Sequence, residues 1–550
     1  MKFVHGRRFS FSVLLIALIQ AAMARGEVNP ATVGAHVDET LATLQVYVNP
    51  SAPGASDGNP GSETQPVATI ARATRLALDA NGRGIGARVR IAAGTYRETI
   101  RVDGSAGSTS APIVLEAIAN GTVTISGSDV WADWTADGAG TFTHAWTNAW
   151  GPAPYPNGWD CCVVLSELAR RREMVVVNGT RLRQVASASA VTAGTFYVSD
   201  ADRQLRLAPP AGVNLGAATV EVAQRSALVM IQNRSNVVLR GIRVQHDASA
   251  IGGTGALSVY SASNVLLENL NLDVNNSRGL SLADTSRVSI RGTTANDNGF
   301  GGVAGWKMRS TLMDNTQALR NNWRGLDTDF TDWDPAGIKL MLLHDAALLG
   351  VTTSNNQSYG LWLDTDCADV LVRGLTSNDN LNDGVFLEAI EGPVTIDNAT
   401  LSRNGRSGLL IGNAAAGTLS GSTLIDNRQA QVLISGTPLG RPADNFETGQ
   451  VYPALQSTGW TFAGNTFHAL TSAQSVSSTT LPSAVWQAFV DSLTSDFNSW
   501  YHPTNNQPFV WTGGLKIDFE SWKSRTQQDR HSVFAALRVP RPPANVRLIK

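Results

Sequence analysis

The chain has 550 residues, 16% of them charged, a net charge of −2 and 43% apolar residues. That balance excludes a nucleic-acid binder, which needs a basic stripe against phosphates, and a disordered chain, which cannot bury a core. The 51 glycines are many for this length, and the 14 tryptophans supply faces that either stack on flat apolar ligands or fill half-buried core.

In chain order, residues 1–24 read as a signal peptide. Lys2, Arg7 and Arg8 lead a short apolar core at 11–19, and Ala22-Met23-Ala24 meets the small-residue cleavage rule. No later apolar run reaches about 18 residues, so no membrane span is expected and the mature protein is expected to be secreted or periplasmic. Cys161 and Cys162 are adjacent and Cys367 stands alone. Without C-x-x-C or zinc spacing, neither a disulfide framework nor a structural zinc site is expected.

Residues 25–45 read as an N-terminal tail. Residues 46–129 open with Tyr47-Val48-Asn49-Pro50 and a turn-rich stretch. A helical period follows at 68–78, apolar at Ile70, Ala73, Ala77 and Leu78, then a short strand Val89-Arg90-Ile91 and Ala93-Gly94-Thr95-Tyr96-Arg97-Glu98. This order resembles the N-terminal cap and first coils of right-handed parallel β-helix proteins. Such a cap covers the unpaired edge of a first coil. Residues 130–222 lose the rhythm. They hold Trp131, Trp134, Trp146, Trp150 and Trp159 and a hairpin signal at Asn178-Gly179, and read as an inserted, mostly antiparallel β subdomain.

Residues 223–440 carry a ladder: Asn275, Asn298, Asn321, Asn356, Asn380, Asn404 and Asn427, at intervals of 23, 23, 35, 24, 24 and 23. Four residues after each of the first six stands a glycine (Gly279, Gly302, Gly325, Gly360, Gly384, Gly408), while the last coil has Gln431. A fixed period of short strands is a solenoid signature. The expected fold is therefore all-β, a right-handed parallel β-helix with an inserted antiparallel subdomain. Ladder asparagines stack inside a bend, so Asn275 and Asn356 are poor glycosylation acceptors although both match N-x-[ST]. The 35-residue interval exceeds its neighbour by 12 residues, most simply the acidic, aromatic stretch 326–336, which is expected to overhang a neighbouring face. Residues 441–550 lose the period and hold Trp486, Trp500, Trp511 and Trp522. They read as a C-terminal covering segment, with a carbohydrate module as the alternative.

Aligning the strands that follow the ladder glycine brings chemistry into view. Side chains alternate faces along a strand. With Leu361, Leu363, Val385 and Leu387 inward, one outward column holds Lys339, Trp362, Phe386 and Leu410, and the other Met341, Asp364, Glu388 and Gly412. Coils stack about 4.8 Å apart, so the carboxyls of Asp364 and Glu388 are expected roughly 5 Å apart. Retaining glycosidases hold their two carboxyls at about 5–5.5 Å, and inverting ones at roughly 6.5–9.5 Å. Two carboxylates this close do not both ionise freely, which suits one nucleophile and one protonated acid. One outward carboxylate is ordinary surface; a vertically matched pair beside large aromatics and the array's one insertion reads as a catalytic site. Trp362 and Phe386 are the candidate stacking platform or pocket wall. Lys339 and, from the acidic loop, Asp332 and Trp333 join them as substrate-binding candidates, with Asp327, Asp329 and Asp334 as further hydroxyl acceptors. Trp323 and Arg324 serve either as pocket wall or as turn packing, and His344 reads as structural.

Gly360-Leu361-Trp362-Leu363-Asp364 and Phe386-Leu387-Glu388 through Gly392-Pro393 resemble the active-site coils of parallel β-helix glycoside hydrolases, notably the family 120 β-xylosidases. Thr365-Asp366-Cys367 depart from that pattern. The resemblance implies an exported glycoside hydrolase for an oligo- or polysaccharide, with Asp364 as nucleophile, Glu388 as acid/base, and no metal or cofactor. The rival is a polysaccharide lyase of the same fold, which needs Ca²⁺ to neutralise a uronate and a base such as Lys339 or Arg403. A non-catalytic carbohydrate-binding helix is the third reading.

Overall fold

The computed structural model describes residues 28–535 except 105–109, 139, 447, 452–453 and 504–506; the signal-peptide reading of 1–24 lies outside it. Short strands wind into a solenoid in which each full coil gives three strands, each paired in parallel with its counterpart one coil on. Leu361 pairs with Val385, Val370 with Val394 and Thr376 with Thr400, so 24 residues advance the chain by one coil. The inward column is apolar throughout: Leu361, Leu363, Val385, Leu387, Leu409 and Ile411 are fully buried.

The asparagine ladder fixes the bend between the third strand of one coil and the first of the next. Asn356 donates both its backbone N–H (3.1 Å) and its side-chain amide (3.0 Å) to Asn380 Oδ1, and Asn380 does the same to Asn404. At the end of the run Asn427 gives both donors to Gln431 Oε1, so the residue that replaces the ladder glycine supplies the missing acceptor. At Gly279, Gly360, Gly384 and Gly408 the next amide crowds the Cβ position, while at Gly302 the Gly337 carbonyl does. A Cβ on Gly360 would lie 2.7 Å from Asn380 Nδ2, and one on Gly384 2.6 Å from Asn404 Nδ2. Gly325 is not of this set. It sits in the helical turn Trp323–Leu326 at the start of the extra loop, and Gly337 takes the ladder place, its Cβ position 2.5 Å from Asn356 Nδ2.

Helix Ile70–Asn81, N-capped by Thr69, covers the first coils with Ile70, Ala73 and Ala77 buried. Residues 128–223 leave the solenoid and form a four-stranded and a five-stranded sheet, almost all antiparallel. Their own core includes Trp146, Phe196 and Leu207. The stretch expected as a tail is instead a strap. Gly34, Ala35 and His36 donate backbone N–H groups to Ser310, Ser289 and Asn264, and Glu39 bridges Arg240 and Arg88. Those two guanidiniums hold the Glu39 carboxyl below its ordinary range.

Beyond residue 440 the expectation of a covering segment needs correction, because the coils continue. Thr461 pairs with Thr494, Thr466 with Ser499 and Ser499 with Val533. A second, shorter ladder runs from Asn465 to Asn498 and ends on Asp529. The period is hidden by the excursion 436–458 and by helix Ser483–Ser492, which lengthen these coils. Trp486, Trp500 and Trp522 are buried at the end of the solenoid core, and Trp500 and Trp522 both donate to Asp529. These tryptophans are core, not a sugar-binding surface. Cys161 and Cys162 are joined to each other, a pairing the spacing did not suggest; it links no two elements. No helix among the described residues is long and apolar enough to cross a membrane.

The ladder makes a quantitative prediction. Asn380→Leu strands amide donors and an acceptor inside the bend, at about 1–3 kcal/mol for each buried polar group left unmade. A loss of about 3 kcal/mol in denaturant unfolding is expected, and a loss under about 1 kcal/mol would count against the ladder as the fastener of the bends.

Candidate functional site

The first strand of each coil carries the candidate site. Met341, Asp364, Glu388 and Gly412 stand in register on consecutive coils, and Lys339, Trp362, Phe386 and Leu410 form the neighbouring column. The column extends further back than the alignment above followed it. Trp306 pairs with Met341, Ala283 with Trp306 and Tyr260 with Ala283. After Asp364 the chain turns through two consecutive left-handed residues, Thr365 and Asp366, with φ of 53° and 48°. The Thr365 hydroxyl donates to Asp364 Oδ1 at 2.9 Å.

Asp364 is 4% exposed, and a buried carboxylate needs partners. Lys339 Nζ lies 3.2 Å from Asp364 Oδ2 and 3.2 Å from Asp334 Oδ1, while Arg278 closes on Asp334 Oδ2 at 2.5 Å. Burial would raise the Asp334 carboxyl, but the Lys339 ammonium and the Arg278 guanidinium outweigh it and hold it below the usual range. The same Lys339 ammonium sits 3.5 Å over the Trp362 ring. Glu388 is ion-paired to Arg441 of the excursion 436–458.

Beside Asp364, the residues Lys339, Asp334 and Arg278 line a cleft of about 350 Å³ together with Tyr260, Ser281, Trp306 and Met341; Asp364 meets it through Lys339, and neither Asp364 nor Glu388 is among its lining residues. Its floor is small (Ser281, Ala304, Gly305), and Trp306 is 44% exposed beside it. Trp362, read as either stacking platform or pocket wall, is left no open platform by its burial. It is buried against Tyr359 (4.8 Å between ring centroids) and Phe386 (5.0 Å), and so backs the site, with half-buried Phe386 beside Glu388. Asp332 is also committed within the chain. It accepts from the Tyr359 hydroxyl at 2.7 Å and from Arg406 at 2.9 Å, and these partners outweigh burial to keep its carboxyl low. Trp333, next to it, is 42% exposed at the loop tip.

Of the two readings of Trp323 and Arg324, substrate-binding pocket wall or turn packing, their contacts match packing: both are fasteners. Arg324 is buried, and its guanidinium donates to Asn276 Oδ1, Gln184 Oε1 and the carbonyls of Leu168 and Glu173. Trp323 donates to the Asp297 carbonyl and lies under Arg181 at 3.6 Å. Both therefore seat the inserted subdomain on the coils. His344 Nε2 is 3.0 Å from the Asp366 carbonyl and 3.3 Å from its carboxylate. Sequence reading missed Arg278, Tyr260, Trp306 and Arg441. The first three were within reach of the strand register carried up to three coils back from Met341, whereas Arg441 lies outside any repeat.

The family model for the right handed beta helix region matches residues 254–416. Among solved structures, that of XylC with xylose superposes with a TM-score of 0.67 at 14% identity, over 90% of this chain and 87% of that one. The chain is a right-handed parallel β-helix. The A-module of the Azotobacter vinelandii mannuronan C-5 epimerase AlgE6 also matches, at 13% identity and a TM-score of 0.44 over 86% and 95% of the two chains. At these identities the likeness is one of fold. No curated protein sequence matches the chain. Among the described residues no three His, Cys, Asp or Glu side chains gather as a metal site.

Removing Lys339 tests the electrostatics. Lys339→Met leaves two buried carboxylates short of a cation, a loss of about 3 kcal/mol by analogy with other broken buried pairs. The Asp334 carboxyl is depressed in the folded protein, so its share of the stability is present above its unfolded value and disappears as pH falls through the folded one. The gap between wild type and variant is thus full at pH 7 and narrows below about pH 4, which urea unfolding at stepped pH would read.

Proposed function

We propose that this protein is an exported glycoside hydrolase that cleaves an oligo- or polysaccharide with retention at the anomeric carbon. The observation that carries the reading is the pairing of Asp364 with Glu388 in register on adjacent strands, which sets their backbones about 4.8 Å apart with both side chains on the outward face. That backbone spacing suits a nucleophile and an acid/base acting on the same glycosidic bond, and lies nearer the carboxyl separation of retaining enzymes than that of inverting ones. In the first step an Asp364 oxygen bonds to the anomeric carbon while Glu388 gives its proton to the departing oxygen. In the second, water attacks that carbon, its proton passes to Glu388, and the ester to Asp364 breaks. Lys339 at 3.2 Å and the Thr365 hydroxyl at 2.9 Å fix the two oxygens of Asp364, so the attacking carboxylate is held in place.

The cleft favours a neutral sugar. Its two cations, Arg278 and Lys339, are matched to Asp334, and Lys339 to Asp364 as well, so a uronate would have to displace a carboxylate of the chain. Trp306 offers an exposed aromatic face over a floor of small residues, the combination that seats the apolar side of a pyranose. XylC, which shares the fold, was solved with xylose, and one sugar of that size fits a cleft of about 350 Å³. The leader-like residues 1–24 support export.

Asp364→Asn and Glu388→Gln are each expected to lower kcat on an aryl glycoside by about a thousandfold or more, and azide is expected to rescue Asp364→Gly as a glycosyl azide. Full activity in either single variant would sink the assignment. A product absorbing in the ultraviolet, formed only without chelator, would point to a lyase instead. Trp306→Ala is expected to raise KM roughly tenfold, about 1.4 kcal/mol, with kcat little changed.

A further inference from the structure

The excursion 436–458 leaves the solenoid after strand Ala430–Ser435 and rejoins it at Thr461–Ala463. It folds on itself, Arg441 pairing with Leu455 and Asp444 with Val451, and lies back over coils already formed. Thr437 N–H donates to Asn413 Oδ1 and Asn413 Nδ2 to the Leu455 carbonyl, both at 3.0 Å. Further back, Phe446 N–H donates to Asp366 Oδ2. Its ring stacks on His344 at 4.4 Å between centroids, with Arg309 4.8 Å away on it. Anchored one coil behind its origin and again three coils behind, the hairpin carries Arg441 onto Glu388 between them.

Among the described residues, the strands beside Glu388 offer it no cation. Asp364 stands on the preceding strand, already bound by Lys339, and Gly412 on the following strand contributes none. Asp366 and His344 lie under Phe446 and pair with each other. The cation on Glu388 is Arg441, from the hairpin.

We propose that Arg441 is a positioning residue for Glu388, one that favours its ionised form and thereby divides its effect between the two chemical steps. The inference rests on the reading of Glu388 as acid/base. In the first step Glu388 must hold a proton for the leaving oxygen, and the neighbouring guanidinium opposes that. In the second step Glu388 must be ionised to receive a proton from water, and the guanidinium favours that. An opposite charge at contact distance moves a carboxyl by about 1–3 pH units. The Arg441 side chain is 42% exposed, so solvent screens part of that attraction.

The test is the pH profile of purified Arg441→Met and Arg441→Lys on aryl glycosides. In Arg441→Met the alkaline limb of kcat/KM is expected about one unit higher, because the acid keeps its proton to higher pH. With a dinitrophenyl leaving group, which needs no acid, kcat is set by the second step and is expected to fall severalfold. Arg441→Lys restores both. Phe446→Ala loosens the hairpin seat and moves the limb the same way by less, which keeps the test open if Arg441→Met folds poorly. A purely structural hairpin would lower activity at every pH and leave the limb in place, and that result overturns the proposal. The two readings fail separately: an active Glu388→Gln removes the acid/base assignment, whereas an inactive Glu388→Gln with an unmoved limb in both hairpin variants removes only the role of Arg441.

Discussion

Each ladder asparagine gives its backbone N–H and its side-chain amide to the side-chain oxygen of the next, at the same bend of every coil from Asn275 to Asn427. These paired bonds are buried, so water does not compete for them, and they lock the phase of one coil against the next. The phase matters because strand side chains alternate between core and solvent: a slip of one residue would turn Asp364 inward and Leu363 outward. Both the apolar interior and the outward column of the site therefore depend on a contact that neither of them makes. Gly279, Gly337, Gly360, Gly384 and Gly408 belong to the same device, since the close approach of the next amide crowds their Cβ positions.

A regular solenoid has outward faces but no pockets. The cleft lies on the outward face of the first strands and takes Asp334 from the loop that begins with Trp323–Leu326; the long insertions fall at the two corners that bound that face. Residues 128–223 and the loop that begins with Trp323–Leu326 both precede the first strand of a coil, and residues 436–458 follow it. An insertion at a bend leaves the strands and their register intact, so the cost to the array is small. The corners are fastened by buried polar contacts. On the leading side Arg324 joins Asn276 of the coils to Leu168, Glu173 and Gln184 of the inserted subdomain. On that side too, Trp159 packs against Phe300 and Phe330. On the trailing side Asn413 and Asp366 hold the hairpin. Asp364 is buried although it points away from the core, with Lys339 and the Thr365 hydroxyl closing on its two oxygens.

The repeat made the architecture legible. A 24-residue period and a glycine at a fixed offset were enough to give the fold class and the register of Asp364 on Glu388, because in a solenoid sequence spacing converts directly into spatial adjacency. What the period could not carry was anything outside it. Gly325 satisfied the spacing rule by coincidence, and only the course of the loop shows Gly337 in its place. The last coils were misread because their insertions stretch the period past recognition while their strands stay parallel. Arg324 could be read as pocket wall or as turn packing because its deciding partners come from the inserted subdomain, more than a hundred residues away. Arg441 lay in a stretch with no periodic signal. Trp306 was legible and missed: the same register that aligned Asp364 with Met341 aligns Met341 with Trp306.

The outward column also restricts how such a site can change. Positions along it come only in whole coils, so two side chains in one column are separated by about one interstrand spacing, about 4.8 Å, or by about two, 9.6 Å. Nothing between is open to substitution alone. The window for a water-bridged, inverting pair, roughly 6.5–9.5 Å, falls between these two values and barely meets the second. With Asp364 and Glu388 acting as proposed, moving the second acid from Glu388 to the place of Gly412 would take the column from one stereochemical outcome to the edge of the other in a single step, provided the Phe386 ring, 2.9 Å from the new Cβ, gives way. On this scaffold the choice between retention and inversion is made in integers.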